Sequence, residues 1–386
     1  MSVKRRLAVI ADNLAGGAAR LAEALLAEAV ESQDLEDILV YHSGNLRLPK
    51  KPPLREFQTQ RHAFFLREHW RRTLWTVRTC NAEDVLNLTN FPLWTVFFPN
   101  KKFLELVLVH QPYVLAKPPY FSHPENLQEK VIRCVRKWFF NLCVILSSRN
   151  TCFLAQTKWI KSLLLQRIGD RGRVFLTPKH SGALIRYEQC SGAGSNMRPH
   201  VESPFWLYPA AFYRHKNHHA LLAIGKLLLA QKKPVKIVIT LNGQDLEVKR
   251  LMAMITACGL EDIIQNIGWV SSATVASLLQ EACGLLFLSS FESLGLPIVE
   301  ALNLGKPILA ADIPTTRELA GNRALYYDLR RINDLEKLAN DLVKDPKELG
   351  LGAGEQVEDQ QSLPHWGQGE SSALLHAYYL AHVRQV

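Results

Sequence analysis

The stretch 284–305 constrains this chain more than any other. It opens with Gly284-Leu285-Leu286-Phe287-Leu288, a short apolar run that predicts a strand buried on both faces. Pro297 suits the first turn of a helix, where a missing N–H costs nothing. Gly305 suits the position just past a helix end. The order is therefore strand, loop, short helix. The loop carries Glu292, and the helix carries Glu300 about one turn in.

Backbone N–H groups near Gly295, Leu296 and Ile298 are expected to be unpaired at this helix start. Such groups, at the positive end of a helix, bind anions and above all phosphate. Gly295 has no side chain, so a ligand can approach the backbone closely. A carboxylate on each side of a phosphate serves something other than the phosphate, because acceptor-only groups want hydroxyls. A phosphate flanked by two polyhydroxy rings describes a nucleotide sugar.

Glu292-Ser293-Leu294-Gly295-Leu296-Pro297-Ile298-Val299-Glu300 resembles the E-x7-E signature of retaining, GT-B-type glycosyltransferases of family four, the glycosyl transferases group 1. The resemblance implies that Glu300 binds ribose hydroxyls of the donor nucleotide and that Glu292 lies against the donor sugar. It also implies that the turn through Ser293, Gly295, Leu296 and Pro297 holds the diphosphate. The following Gly305-Lys306-Pro307-Ile308-Leu309-Ala310-Ala311-Asp312-Ile313-Pro314-Thr315-Thr316-Arg317-Glu318-Leu319 is similar to the family's next strand and loop.

At 386 residues the chain is long enough for two domains, and its 47% hydrophobic content supports real cores. A formal net charge of +10 asks for an anionic partner: a phosphorylated ligand, anionic lipid or nucleic acid. The seven cysteines show no Cys-x-x-Cys spacing, which speaks against a zinc site or a disulfide framework and favours a reducing, cytoplasmic compartment. Met1-Ser2-Val3-Lys4-Arg5-Arg6 runs into a short apolar strand and is not expected to be a secretory leader. No segment approaches the roughly twenty apolar residues of a membrane span; 138–146 comes nearest.

In the first half, Leu7-Ala8-Val9-Ile10-Ala11 reads as a strand and Gly16-Gly17 as the turn after it. The glycine pair resembles the family's loop that faces the donor phosphates and the acceptor. In 61–78, Leu66, Trp70, Leu74 and Val77 share one helical stripe, edged by Arg67, Arg71 and Arg78, with Phe64 and Trp75 expected to face outward. Arginines beside exposed rings suit a helix lying on anionic lipid, so Arg67, Trp70, Arg71, Trp75 and Arg78 form the expected membrane or acceptor patch. His110 follows the run Leu104–Val109, at the carboxyl end of a strand, where open α/β sheets bind ligands. It resembles a histidine that family members place near the donor sugar and the acceptor hydroxyl. Stretches 144–147 and 173–176 are expected to be the last strands of this half.

Residues 187–204 are polar, with Ser191-Gly192-Ala193-Gly194-Ser195 in the middle, and read as a linker. After the strand at 205–208, Lys216 enters a helix as a point charge suited to phosphate. The stretch resembles the family's phosphate-binding loop, in which an arginine stands five residues before the lysine. Here that position is Ala211, and Arg214 is the nearby candidate to supply the charge. Gly268-Trp269-Val270 follows the next strands; the resemblance implies that backbone there, Val270 included, touches the nucleobase. Strands alternating with helices in both halves give the expected fold: α/β, two Rossmann-like doubly wound domains facing across a cleft, GT-B. The expected domains are 1–186, binding acceptor, and 205–360, binding the nucleotide sugar. Residues 361–386 are expected to end in a helix returning to the first domain.

The implied activity is transfer of a sugar from a GDP- or UDP-linked donor to a glycan or lipid-linked acceptor, with retention, in cell-surface polysaccharide or lipopolysaccharide assembly at the cytoplasmic face of the membrane. Glu292, His110 and Lys216 are the catalytic candidates. No cofactor and no metal are expected: Lys216 and the amides after Glu292 would take the diphosphate charge that other glycosyltransferases assign to a metal held by Asp-x-Asp, which this chain lacks. Rival readings are a nucleotide-sugar epimerase or hydrolase on the same fold, or a non-catalytic basic protein on membrane or nucleic acid. No RNA-recognition motif is visible, so nucleic acid is not an expected partner.

Overall fold

A computed structural model describes residues 5–12, 22, 23, 26, 30, 35–43, 46, 48–50, 54–58, 65–79, 84–100, 103–116, 127–147, 149–169, 173–176, 201, 204–232 and 235–351. Gly16, Gly17, most of 187–204 and all of 361–386 lie outside them.

The described residues form two compact units, each built on a parallel sheet. The first sheet contains β1 (Arg5–Ile10), β2 (Leu35–His42), β3 (Leu54–Gln58), β4 (Asp84–Asn87), β5 (Leu104–Val109), β6 (Thr151–Ala155) and β7 (Arg173–Leu176), in the order β3-β2-β1-β4-β5-β6-β7. The second contains β8 (Phe205–Tyr208), β9 (Lys236–Ile239), β10 (Ile264–Asn266), β11 (Gly284–Phe287), β12 (Ile308–Ala311) and β13 (Ala324–Tyr327), in the order β10-β9-β8-β11-β12-β13. All pairings are parallel. Both orders reverse direction once, between β1 and β4 and between β8 and β11. Such a reversal opens a crevice at the carboxyl ends of the two flanking strands, where doubly wound sheets bind ligands.

Central strands such as β6, β8, β11 and β12 are buried at every residue, as parallel strands covered on both faces must be. Edge strand β3 is largely exposed and polar, which hid it from a search for apolar runs. Residues 144–147 are not a strand. They end the helix Leu127–Leu146, and the strand lies at Thr151–Ala155 instead. A short apolar run does not separate strand from helix by periodicity.

The helix Phe65–Thr79 has a different phase from the expected one. Trp75 faces inward, against Tyr41 at 5.1 Å and Phe57 at 5.9 Å between ring centroids. Leu66 is exposed, while Glu68 and Arg72 are buried. Arg72 pairs with Asp12, the residue two past β1, and Glu68 accepts a hydrogen bond from Tyr41 Oη at 2.6 Å. Buried charges that find partners can occupy core positions, and here they turned the helix.

Glu105 on β5 is fully buried. Its carboxylate accepts from Asn87 Nδ2 at 2.8 Å, the Leu93 amide at 2.9 Å and Thr151 Oγ1 at 3.2 Å. Burial raises its pKa from 4.5 to about 7 despite these bonds. The folded state therefore holds this proton more tightly than the unfolded chain. Stability falls as pH rises through the window from about 4.5 to about 7 and levels off above it. Glu105→Gln keeps the two bonds accepted at Oε1 and replaces the third by donating to Thr151 Oγ1, without the charge. It should remove that slope and stabilise the protein by roughly 2–4 kcal/mol at pH 8, since one pKa unit is worth 1.36 kcal/mol. Urea midpoints measured across that pH range test this; parallel curves for the two proteins would refute it.

Candidate active site

In the second unit, the residues after β8 and β11 meet at the reversal of the sheet. After β8 the chain makes a tight turn, Arg214–Lys216, and enters the helix Ala220–Gln231. After β11 it runs through Glu292 to the helix Leu296–Asn303. The two loops are stitched together. The Ser290 amide donates to the His215 carbonyl at 2.7 Å, and Asn217 Nδ2 donates to the Leu288 carbonyl at 3.1 Å. Asn217 has φ +53°, a left-handed conformation that asparagine tolerates better than most residues. The Tyr208 hydroxyl donates to the Lys216 carbonyl. Lys216 is thereby held with its ammonium against the Glu292 carboxylate, in an ion pair that is mostly shielded from solvent.

Burial alone would raise the Glu292 carboxyl. The Lys216 ammonium, by its charge and its hydrogen bond, holds it below the ordinary carboxylate value instead. His215, stacked on Tyr213 at 5.8 Å, is lowered to about 4 by burial, so it is neutral at pH 7. The Glu292 carbonyl accepts a 2.7 Å hydrogen bond from Thr315, the buried second residue of the helix Pro314–Ala320. One side of Glu292 is thus tied through its side chain, the other through its backbone.

Gly295 caps the helix Leu296–Asn303 at φ +73°. A Cβ there would be strained and would lie 3.3 Å from the Phe287 ring. The same ring lies 5.8 Å from Lys216 Nζ, so Phe287 underlies both the lysine and the glycine turn. One expected donor is corrected: the Ile298 amide is satisfied by the Gly295 carbonyl at 3.0 Å, because the helix start tightens into a three-residue turn. Among the described residues the Gly295 and Leu296 amides donate to no other group. Ser293 and Leu296 are buried in this turn, and Pro297 is half-buried. Glu300 is buried one turn into the helix. The helix ends as expected, with Gly305 N–H donating to Leu302 and Lys306 N–H to Ala301.

Arg214 shares the turn with Lys216, and it is Lys216 that pairs with Glu292. Val270 is half-buried, two residues past Gly268 at φ +80°. In the first unit His110 follows β5, partly exposed. Asn90, at φ +70° beyond β4, accepts from the His110 and Gln111 amides at 2.8 and 2.9 Å. Its carbonyl oxygen being so engaged, its NH2 faces His110 Nε2 at 3.3 Å, which makes that nitrogen the acceptor. Burial lowers His110 to about 4, so it presents a neutral ring. Arg67, Arg71 and Arg78 are exposed, Trp70 is half-buried against Trp94, Phe97 and Phe98, and Trp75 leaves the expected patch for the core.

Tyr208, Asn217, Thr315 and Asn90 all position site residues and went unrecognised in the sequence. Only the asparagines carried a local signal, their tolerance of positive φ. Among the described residues no three His, Cys, Asp or Glu side chains cluster as a metal ion would need.

Residues 197–354 match the family described as glycosyl transferases group 1. Over 107 residues the chain is 33% identical to GDP-mannose:cellobiosyl-diphosphopolyprenol alpha-mannosyltransferase of Komagataeibacter xylinus, covering 28% of this chain and 27% of that protein. Over 124 residues it is 27% identical to the O-antigen chain mannosyltransferase RfbU of Salmonella typhimurium, covering 32% and 34%. The matches span about a third or less of these relatives. The crystal structure of Anabaena Alr3699/HepE in complex with UDP and glucose superimposes with a TM-score of 0.64 at 16% identity, covering 98% of this chain and 100% of that one. At that identity the likeness is one of fold.

Proposed function

We propose that this chain, whose residues 197–354 match the glycosyl transferases group 1, is a retaining glycosyltransferase. It moves a sugar from a nucleotide-diphosphate donor to a glycan or lipid-linked acceptor in cell-surface polysaccharide or lipopolysaccharide assembly, working at the cytoplasmic face of the membrane. The observation that carries the reading is the Lys216–Glu292 pair at the β8/β11 reversal, beside the Gly295 helix start. Both curated relatives are named as mannosyltransferases and one name specifies GDP-mannose, which makes GDP-mannose the first donor to test, ahead of a UDP-linked sugar.

The transition state separates an oxocarbenium-like sugar from a departing nucleoside diphosphate. Its largest stabilisation comes from donors already aimed at the developing charge. Lys216 and the Gly295 and Leu296 amides are such donors, with no metal required of them. Diphosphate competes with Glu292 for the ammonium, which frees that carboxylate to orient sugar hydroxyls. His110 is neutral, with its ring fixed by Asn90, and brings no positive charge. Glu300 accepts from the ribose hydroxyls. A same-face displacement assisted by the leaving phosphate accounts for retention without a protein nucleophile.

A thermal-shift panel of GDP, UDP, GDP-mannose and UDP-glucose tests the reading, because a ligand bound only by the folded state raises the midpoint. GDP and GDP-mannose should do so. No shift with any nucleotide at millimolar concentration would overturn the proposal. In the same assay Glu300→Ala should weaken the responding nucleotide by about 10- to 100-fold, the usual loss for hydrogen bonds to a charged group. Unchanged affinity would remove Glu300 from the ribose.

A further inference from the structure

The helix Leu127–Leu146 turns an apolar face to solvent. Leu127 is 78% exposed, Val131 52%, Val135 54%, Trp138 60% and Ile145 58%. At 3.6 residues per turn these positions form one stripe along the helix, turned away from Phe139, Phe140 and Cys143, which pack into the first unit. Throughout 127–138 every residue is exposed or only half-buried. Lys130 and Lys137 run along one edge of the stripe, with Arg133 and Arg136 beyond them. Against these four cations the helix carries one carboxylate, Glu129. The turn Thr95–Phe97 packs on this helix and adds Val96 and Phe97, also about half exposed.

We propose that this face docks on an anionic lipid bilayer. The helix lies flat at the headgroup boundary, with Val131, Val135 and Trp138 among the acyl chains and Lys130 and Lys137 on lipid phosphates. Trp138 is suited to that depth, its ring apolar and its N–H wet. Among the described residues no helix is long and apolar enough to cross a membrane. The charge decides between lipid and a second copy of the chain. Pairing two such stripes brings two basic edges together, whereas an anionic surface neutralises both edge lysines. The proposal deepens the membrane placement given above, yet it rests on a helix remote in sequence from Lys216 and Glu292. It also moves the docking surface from the 65–79 helix, whose Trp75 is buried.

The test is co-sedimentation of the full chain with phosphatidylglycerol-rich vesicles and with pure phosphatidylcholine vesicles. Wild type should partition onto the anionic vesicles at least about 10-fold better, and less so at high salt. Val135→Asp with Trp138→Ser should cost a further factor of about 10 or more, and Lys130→Glu with Lys137→Glu a similar factor. All four positions are exposed or half-buried, so the variants should keep the wild-type melting temperature and the wild-type response to nucleotide. That response separates failure here from failure of the glycosyltransferase reading. Equal binding to both vesicle types, or equal binding by wild type and variants, would overturn the proposal. So would a dimer in light scattering that Val135→Asp dissolves, since the face would then belong to a second copy.

Discussion

Lys216→Ala should lower turnover by about two to three orders of magnitude, the loss seen when one preorganised stabiliser of transition-state charge is removed. The geometry gives two reasons. The ammonium is fixed before any ligand arrives: Tyr208 holds its backbone carbonyl, Asn217 ties the loop to Leu288, and Glu292 takes its charge. A cation so placed costs no reorganisation when the diphosphate leaves. Removing it also strands Glu292, a shielded carboxylate whose pKa is depressed by Lys216 against the opposing effect of burial. In the wild type the low folded value means that stability from this pair is present at neutral pH and is lost only as pH falls through that value. Without Lys216, burial dominates and the carboxyl titrates at higher pH. The acid limb of the rate profile should therefore move toward neutrality in Lys216→Ala. Glu292→Gln has no such carboxyl to titrate and should lose that limb. Steady-state kinetics with the donor found in the nucleotide panel gives both readouts. A Lys216→Ala enzyme with wild-type turnover and an unmoved acid limb would end this assignment.

What could be read in the sequence, and what could not, divides along a physical line. The strand, loop and helix of 284–305 were legible because each has a local cause: an apolar run, a proline tolerated in a first turn, a glycine past a helix end. The α/β class followed from the same kind of signal repeated along the chain. The resemblance brought Lys216 and the Glu292 turn to one diphosphate, but their ion pair was not legible from local signals, since 76 positions separate them and only the sheet order makes β8 and β11 neighbours. The satisfied Ile298 amide was missed because a tightened first turn is a matter of backbone geometry rather than composition. The 65–79 helix was misphased for a different reason. A stripe drawn through apolar residues alone leaves Glu68 and Arg72 out of the core, and it fails where Asp12, just past β1, and Tyr41 on β2 accompany them inside. The stripe on Leu127–Leu146 escaped because its apolar side chains look like core until the burial of Phe139, Phe140 and Cys143 shows which side the core is on.

That misphased helix carries the largest expected effect on stability. Arg72→Met should destabilise the protein by about 3–5 kcal/mol, the cost of breaking a buried ion pair from one side. Arg72 and Asp12 are each only about 2% exposed, and Arg72 Nε lies 3.1 Å from Asp12 Oδ2 and 4.0 Å from Glu68 Oε1. Methionine fills much of the arginine stem's volume, so the loss is electrostatic more than steric: two buried carboxylates lose their shared cation. Asp12 lies just past β1, one of the two strands at the reversal of the first sheet. The network therefore holds the chain at the point where it leaves that strand. Asp12→Asn in the Arg72→Met background should recover part of the loss, because it removes one stranded charge, whereas Asp12→Asn alone should destabilise. This opposite sign in the two backgrounds distinguishes a charge pair from simple packing, which would make the two losses add. Urea denaturation of the four proteins closes the cycle. An Arg72→Met cost below about 1 kcal/mol, in the range of an exposed surface pair, would mean that the arginine is not held inside as described.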